Sequence, residues 1–338
     1  MTNNLFKYAT SELSQDAFIC WFLAWADPKY ACVEAELHVA AQNMIQNLCE
    51  EPELIIETVE VKRQVEKVDV LILVNTDKVI LIEDKTDTSE HSGQLRRYKE
   101  AISERYTGRN LHPIYLKTGE QSNLSAVHAE NYRVFSRTDF LAGLTVASES
   151  KNQIFIDYLS YLNEIDADFN SYETLPVTEW TGRAWQGFFQ ACQSGFPYKD
   201  LGWHYVSNPS GGFWGMWFNW KKFTFNDNGN EFNGLLYFQF EENKLCIKIQ
   251  VSEKGSRRDA MYFWRDRICG DGKLKALGFL KPTRLRQGVC MTVAVNDHFL
   301  DCQSGFSEIA IQSLINKLKS IDDCLSENMV SRKCDNNS

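Results

Sequence analysis

What the chain lacks narrows the field before any motif is considered. No apolar run is longer than "AFICWFLAWA", the ten residues Ala17–Ala26, whereas about 20 are needed to cross a bilayer as a helix. No basic segment or small-residue cleavage site turns that run into a signal peptide. A cytoplasmic protein with no membrane partner is therefore expected. The ten cysteines are scattered without a single C-x-x-C pair. Most sit in apolar surroundings, where a reduced thiol acts as a small hydrophobe, and neither a thiolate zinc site nor a disulfide framework is expected. Six histidines show no H-E-x-x-H pattern, which removes the histidine-zinc reading. Repeats and low-complexity tracts are missing too. At 43% hydrophobic and 24% charged residues the composition is that of a globular protein, and 338 residues suffice for two ordinary domains.

Positive charge is also scarce overall, with a formal net charge of −9, which argues against indiscriminate nucleic-acid binding. The balance is uneven, however. Residues 1–170 hold 16 basic and 27 acidic residues, a net of −11, whereas residues 171–338 hold 20 and 18. Lys254–Arg286 carries ten basic residues against Asp259, Asp266 and Asp271. This region includes Arg257 and Arg258, with Tyr262, Phe263 and Trp264 interleaved. Such a mixture reads as a nucleic-acid surface, although consecutive aromatics are more often core.

Ser11 can cap a helix from Glu12 to about Ala26, with Leu13, Ala17, Cys20, Trp21 and Ala24 on one face. Pro28 stops it. A second helix, roughly Ala31–Leu48, shows the stripe Val33, Leu37, Ala41, Met44, Ile45 and Leu48. Three strands follow at Glu53–Lys62, Val68–Val74 and Lys78–Asp84, the last two apolar enough to be covered on both faces. A helix over Ser89–Tyr106, short strands in "LHPIYLKT" and "NYRVFSRTDF", and a helix over Asn152–Asn163 complete the pattern of an α/β sandwich. The polar, proline-containing stretch 166–180 reads as a linker between a first domain, 1–165, and a second, 181–327, with a polar, fraying tail at 328–338. In the second domain aromatic and β-branched residues alternate, as in "PSGGFWGMWFNW", where Phe213, Met216, Phe218 and Trp220 read as a packed strand. Helices near Ser256–Cys269 and Ser307–Ser320 make it α+β.

The most informative stretch is "VDVLILVNTDKVILIEDK", Val68–Lys85, whose charges stand at the ends of two apolar runs. In an antiparallel hairpin, opposed residues share a face, and loop length decides which residues oppose. A three-residue loop, Asn75-Thr76-Asp77, brings Asp69 opposite Glu83, with Lys85 on the same face and Asp84 pointing away. A two-residue loop would oppose Asp69 to Asp84 instead. Two opposed carboxylates repel unless a cation lies between them, and hard oxygen ligands suit Mg²⁺ or Mn²⁺.

Asp69 followed after thirteen residues by Glu83-Asp84-Lys85 resembles the motif of the PD-(D/E)xK nuclease superfamily, with Val68 where the name-giving proline would stand. "QLRRY", Gln94–Tyr98, resembles the Q-x-x-x-Y motif of its RecB-like members, and Gln and Tyr one turn apart share a helical face. "SELSQDAFICWFLAWAD" resembles the start of many bacterial members and nominates Glu12 as the helix acid, with Glu34 and Glu36 as alternatives. The resemblance implies a restriction-endonuclease-like mixed sheet flanked by helices over the first half, with a C-terminal α+β domain for substrate or partner binding. It further implies a metal-dependent deoxyribonuclease of restriction, phage defence or DNA repair. Glu12, Asp69, Glu83 and the backbone carbonyl of Asp84 would hold Mg²⁺ or Mn²⁺, Lys85 would be catalytic, and Gln94 and Tyr98 would support the site. Arg96 and Arg97 would contact phosphates. DNA is the expected partner, with room for a protein of a defence system and for a homodimer. The alternative is a silent nuclease fold that binds DNA or a protein without cleaving.

Overall fold

The structure, a computed structural model, describes residues 3–90, 93–209, 211–227, 230–300 and 305–330. The chain forms two units, Met1–Ala167 and Asp168–Ser338.

The first unit runs α1 (Glu12–Ala24), α2 (Ala35–Cys49), β1 (Val59–Val65), β2 (Val68–Val74), β3 (Lys78–Lys85), α3 (Gln94–Arg105), β4 (Asn110–Lys117), α4 (Ser125–Ala129), β5 (Arg133–Ser136), α5 (Arg137–Thr145) and α6 (Gln153–Asn170). The strands lie in the order β1-β2-β3-β4-β5. The first three are antiparallel neighbours, whereas β3, β4 and β5 run parallel. A parallel pair needs a crossover, and α3 supplies it between β3 and β4. Alternation sends Val70, Ile72, Ile80 and Ile82 into the core that holds Phe18 and Phe22 of α1 and Leu37 and Met44 of α2. Leu71, Leu73, Val79 and Leu81 pack on the other face with Leu95 and Ile102 of α3. Coverage on both faces is why β2 and β3 are apolar throughout. This is the expected α/β architecture of a mixed sheet flanked by helices.

Several local expectations need correction. The face of α1 that packs is Phe18, Ile19, Phe22 and Leu23, together with the polar Gln15 and Asp16, while Leu13 is 52% exposed. The second helix starts only at Ala35, leaving Val33 exposed. The strand expected from Glu53 begins at Val59. "NYRVFSRTDF" changes from strand to helix at Ser136, which forms a capping box with Asp139. The helix expected to end at Asn163 continues to Asn170. Within the 166–180 stretch, 3-10 turns at Ser171–Glu173 and Val177–Glu179 follow that helix, and Tyr172, Val177 and Trp180 are buried in the second core. The last helix runs to Val330, so the first residues of the expected tail are helical, and residues 331–338 lie outside the described residues.

The second unit contains α7 (Gly182–Gly195), β6 (Gly202–Val206), β7 (Phe213–Asp227), β8 (Asn230–Glu241), β9 (Lys244–Gln250), α8 (Arg257–Gly270), α9 (Gly272–Ala276), β10 (Cys290–Asn296) and α10 (Glu308–Val330). Its antiparallel sheet has the order β10-β9-β8-β7-β6. Met216 and Phe218 are buried, as a packed strand requires. An irregularity between Phe218 and Lys221, with Asn219 left-handed, pairs Lys221 with Leu236. Lys221 there reaches Asp322 at 2.5 Å and Ser326 at 2.8 Å, both on α10. Among the described residues no helix is long and apolar enough to cross a membrane, and the cysteines are free thiols.

Candidate active site

The β2–β3 hairpin has the odd loop. Val74 pairs with Lys78, and the register continues to Val70 and Ile82, so Asp69 and Glu83 are next in line. Glu83 is fully buried and Lys85 nearly so. Lys85 Nζ lies 2.6 Å from Glu83 Oε1 and 3.8 Å from Asp69 Oδ2, and it donates to the Asp84 carbonyl at 3.0 Å. The Asp84 N–H donates to Asp69 Oδ2 at 2.9 Å. Strand alternation therefore sets Asp69, Glu83 and Lys85 on the α3 side, and the Asp84 backbone links them.

Helix α3 completes this side. Gln94 Nε2 donates to Glu83 Oε1 at 2.6 Å and lies 3.3 Å from the Tyr98 hydroxyl one turn along. Gly93 precedes the helix in the left-handed region, φ 71°, where glycine avoids the strain of a Cβ. Glu12 also reaches the end of β3. Its Oε1 accepts from the Thr86 N–H at 3.1 Å, the Thr86 hydroxyl at 3.3 Å and the Thr88 hydroxyl at 2.6 Å. The alternative acids are placed elsewhere: Glu34 approaches Asn152 at 3.5 Å, and Glu36 is exposed on α2.

Behind the strand lies a cluster that sequence reasoning missed. The Asp84 side chain faces α1, where Gln15 Nε2 donates to its Oδ1 at 2.7 Å and to Thr118 Oγ1 at 3.0 Å. Gln15 Oε1 accepts from the Tyr158 hydroxyl at 3.0 Å. Asp16 is buried beside them. Gln15 and Asp16 in the buried stripe of α1, in place of the apolar face expected there, were the only sequence signal for this cluster. Lys117, the last residue of β4, is buried like Lys85 and Lys78.

Burial dominates the electrostatics. It raises Glu83 to about 7, helped by the neighbouring Asp69 charge and opposed by Lys85. Burial likewise raises Asp69, against the Asp84 N–H and Lys85. Asp16 is pushed up to about 6 by burial and then by Asp69, and Asp84 well above the ordinary carboxylate range by burial and then by Asp16. Burial also acts to raise Glu12, but bonds from Thr88 and Thr86 outweigh it and hold that carboxyl low. Lys85 is raised, because Glu83 and Asp69 outweigh its burial, whereas burial pulls Lys117 down to about 8.

Glu83 Oε2, Asp84 Oδ2 and Asp16 Oδ1 are buried with no hydrogen-bond partner. Among the described residues no three acidic, imidazole or thiolate side chains form a ready-made metal cage. Asp69, Glu83 and the Asp84 carbonyl would suit a hard cation that completes its shell with water and substrate oxygens, the usual habit of Mg²⁺.

The arginines nominated for nucleic acid differ in availability. Arg96 and Arg97 are exposed on α3. Arg257 donates to the carbonyls of Val251 at 3.0 Å and Ser252 at 2.9 Å, securing the chain after β9. Arg258 is exposed, 5.9 Å from the Tyr262 ring centroid. Trp264 is core.

No match came from comparison with curated proteins or with solved structures. A family model described as the PD-(D/E)XK nuclease superfamily matches residues 3–179. That span is more than half of the chain and includes the whole mixed sheet with Asp69, Glu83 and Lys85. The chain belongs to the PD-(D/E)XK nuclease superfamily.

Proposed function

We propose that the first unit is a metal-dependent nuclease that hydrolyses DNA phosphodiester bonds at the open end of β3. The observation that carries this reading is the Asp69–Glu83 opposition with the Lys85 ammonium 2.6 Å from Glu83. A buried Glu83 opposite a half-buried Asp69, with Lys85 the one cation in ion-pair contact with both among the described residues and Glu83 Oε2 unpartnered, favours added positive charge. Mg²⁺ or Mn²⁺ would be held by Asp69, Glu83 and the Asp84 carbonyl, with Glu12 at the rim, and would polarise the phosphodiester when bound. The chain's own groups do the rest. Lys85 offers a charged donor at the acid pair, able to orient an attacking water and to offset charge that develops on the phosphate. Gln94 fixes the Glu83 carboxyl through its 2.6 Å bond, Tyr98 buttresses Gln94, and the Asp84 N–H orients Asp69. Arg96 and Arg97 would meet phosphates flanking the scissile bond, and Arg258, with less from the tethered Arg257, would serve the second unit. A role in restriction, phage defence or DNA repair in the cytoplasm rests on the family alone.

The test is cleavage of linear, circular and single-stranded DNA, and of RNA, in Mg²⁺ or Mn²⁺ by the wild type and by Lys85→Met. Loss of cleavage by about 10²-fold or more in the variant is expected. Undiminished cleavage would remove Lys85 from the mechanism. A second reading, a fold that binds without cutting, draws on the acidity of residues 1–170, which suits a protein partner. It predicts no Mn²⁺ binding in calorimetry.

A further inference from the structure

We infer that Lys117 is a positioning residue, a buried clamp on the Thr86–Thr88 segment through which Glu12 is held at the acidic site. The inference rests on the nuclease reading and deepens it. Lys117 stands in register beside Lys85 on the neighbouring parallel strand, yet the two ammonium groups go to different places. Lys85 meets the acid pair. Lys117 Nζ donates to the Thr86 carbonyl at 2.6 Å and to the Thr88 carbonyl at 2.5 Å. The same two threonines converge on Glu12 from their other groups, the Thr86 N–H, the Thr86 hydroxyl and the Thr88 hydroxyl all reaching Oε1. None of these bonds uses Oε2, so the threonines leave that oxygen available to a cation.

A third contact fixes the same segment. A Cβ at Gly119 would lie 2.3 Å from the Thr86 carbonyl oxygen, so the chain after β4 is pressed directly against the chain after β3. Burying a lysine is costly unless its donors are satisfied. Here two carbonyls of one short segment take two of its donors, and the Thr86 N–H, the Thr86 hydroxyl and the Thr88 hydroxyl of that segment are committed to Glu12. Hydrogen-bonded groups behind a metal ligand set its orientation, and losing them typically weakens metal affinity about 10–100-fold.

The experiment uses the full chain and titrates Mn²⁺ by calorimetry without DNA, beside the Mg²⁺ dependence of cleavage. Lys117→Met should weaken Mn²⁺ binding about 10–100-fold and raise the Mg²⁺ needed for half-maximal cleavage in step, with the KM for DNA unchanged. Lys117→Arg should recover part of the affinity. Gly119→Ala, which keeps the ammonium but displaces Thr86, should weaken Mn²⁺ binding as well. A folded Lys117→Met protein with wild-type Mn²⁺ affinity overturns the clamp. Should that variant fail to fold, wild-type affinity in both Gly119→Ala and Thr88→Val overturns it equally. A wild type that binds no Mn²⁺ removes the metal reading and the clamp together, whereas normal wild-type binding with indifferent variants removes the clamp alone.

Discussion

Gln15→Leu tests whether the polar cluster behind β3 is a structural necessity. Leucine has nearly the volume of glutamine, so the change removes hydrogen bonds and little packing. Three partners are affected: Asp84 Oδ1 at 2.7 Å, Thr118 Oγ1 at 3.0 Å and the Tyr158 hydroxyl at 3.0 Å. Asp84 and Tyr158 lie fully out of solvent, so no water replaces the lost amide. A stranded buried polar group costs about 1–3 kcal/mol. Two of them, with burial raising the Asp84 carboxyl well above its ordinary range, make a loss of about 3 kcal/mol the expected result. Tyr158→Phe alone should cost about 1 kcal/mol. The double variant should cost less than the two single losses together, by about 1 kcal/mol, because phenylalanine leaves no stranded hydroxyl. Gln15→Glu should be worse than Gln15→Leu and worsen as pH rises, since it adds a third carboxyl beside Asp16 and Asp84 that resists ionisation. Urea denaturation at pH 5 and pH 8 reads all four. A Gln15→Leu loss below about 0.5 kcal/mol, the range of an ordinary surface change, or strict additivity with Tyr158→Phe, would refute the reasoning.

Two further outcomes follow from the same geometry. Asp84→Asn should retain cleavage, because the Asp84 side chain faces Gln15 and its backbone serves the site; Glu83→Gln should abolish cleavage, and equal loss in both would place the Asp84 carboxyl in the chemistry. Glu83 titrates near 7 instead of 4.5 because of burial and then Asp69. Without metal the native state keeps a proton that the unfolded chain has lost, so this contribution is full below pH 4.5 and disappears as pH rises through 7. It amounts to at most about 3 kcal/mol, and denaturation midpoints of wild type against Glu83→Gln should show that slope in the former and not in the latter.

The legible parts of the sequence were those governed by short-range rules. Alternation along β2 and β3, the turn between them and the helical spacing of Gln94 and Tyr98 need only local geometry, and they place Glu83, Lys85 and Gln94 within hydrogen-bonding distance. The face of α1 was misread because an apolar stripe was assumed to point inward. Leu13 lies outward while Gln15 and Asp16 are buried, and the partners that hold Gln15 there, Asp84, Thr118 and Tyr158, come from distant positions in the chain. Lys117 was illegible for the same reason: a lysine at a strand end reads as solvated until the parallel register sets it beside Lys85. Local rules fail where long-range polar contacts override them, and that happens around the site.

The register itself rests on the far end of the hairpin. A one-residue slip normally exchanges a buried face for an exposed one and is strongly disfavoured. Here β2 and β3 are buried on both faces, so hydrophobic burial barely distinguishes the two parities. The turn must therefore decide. Asn75 takes the left-handed conformation, φ 50°, and its Oδ1 accepts from the N–H groups of Glu57 at 2.8 Å and Thr58 at 3.2 Å. Its Nδ2 donates to the Ile55 carbonyl at 2.9 Å. The turn is thereby tied to the chain entering β1, which pairs with β2. Deleting Val79 keeps the three-residue loop and, with Val74 still opposite Lys78, aligns Asp69 with Asp84, moving Glu83 toward the α1 side. The deletion variant should keep its far-UV circular dichroism and a cooperative melt yet lose Mn²⁺ binding. Asn75→Ala, which keeps the loop length, should lose about 1–3 kcal/mol of stability and retain binding. Wild-type Mn²⁺ affinity in the deletion variant would show that the charges at the open end, and not the loop, set the register.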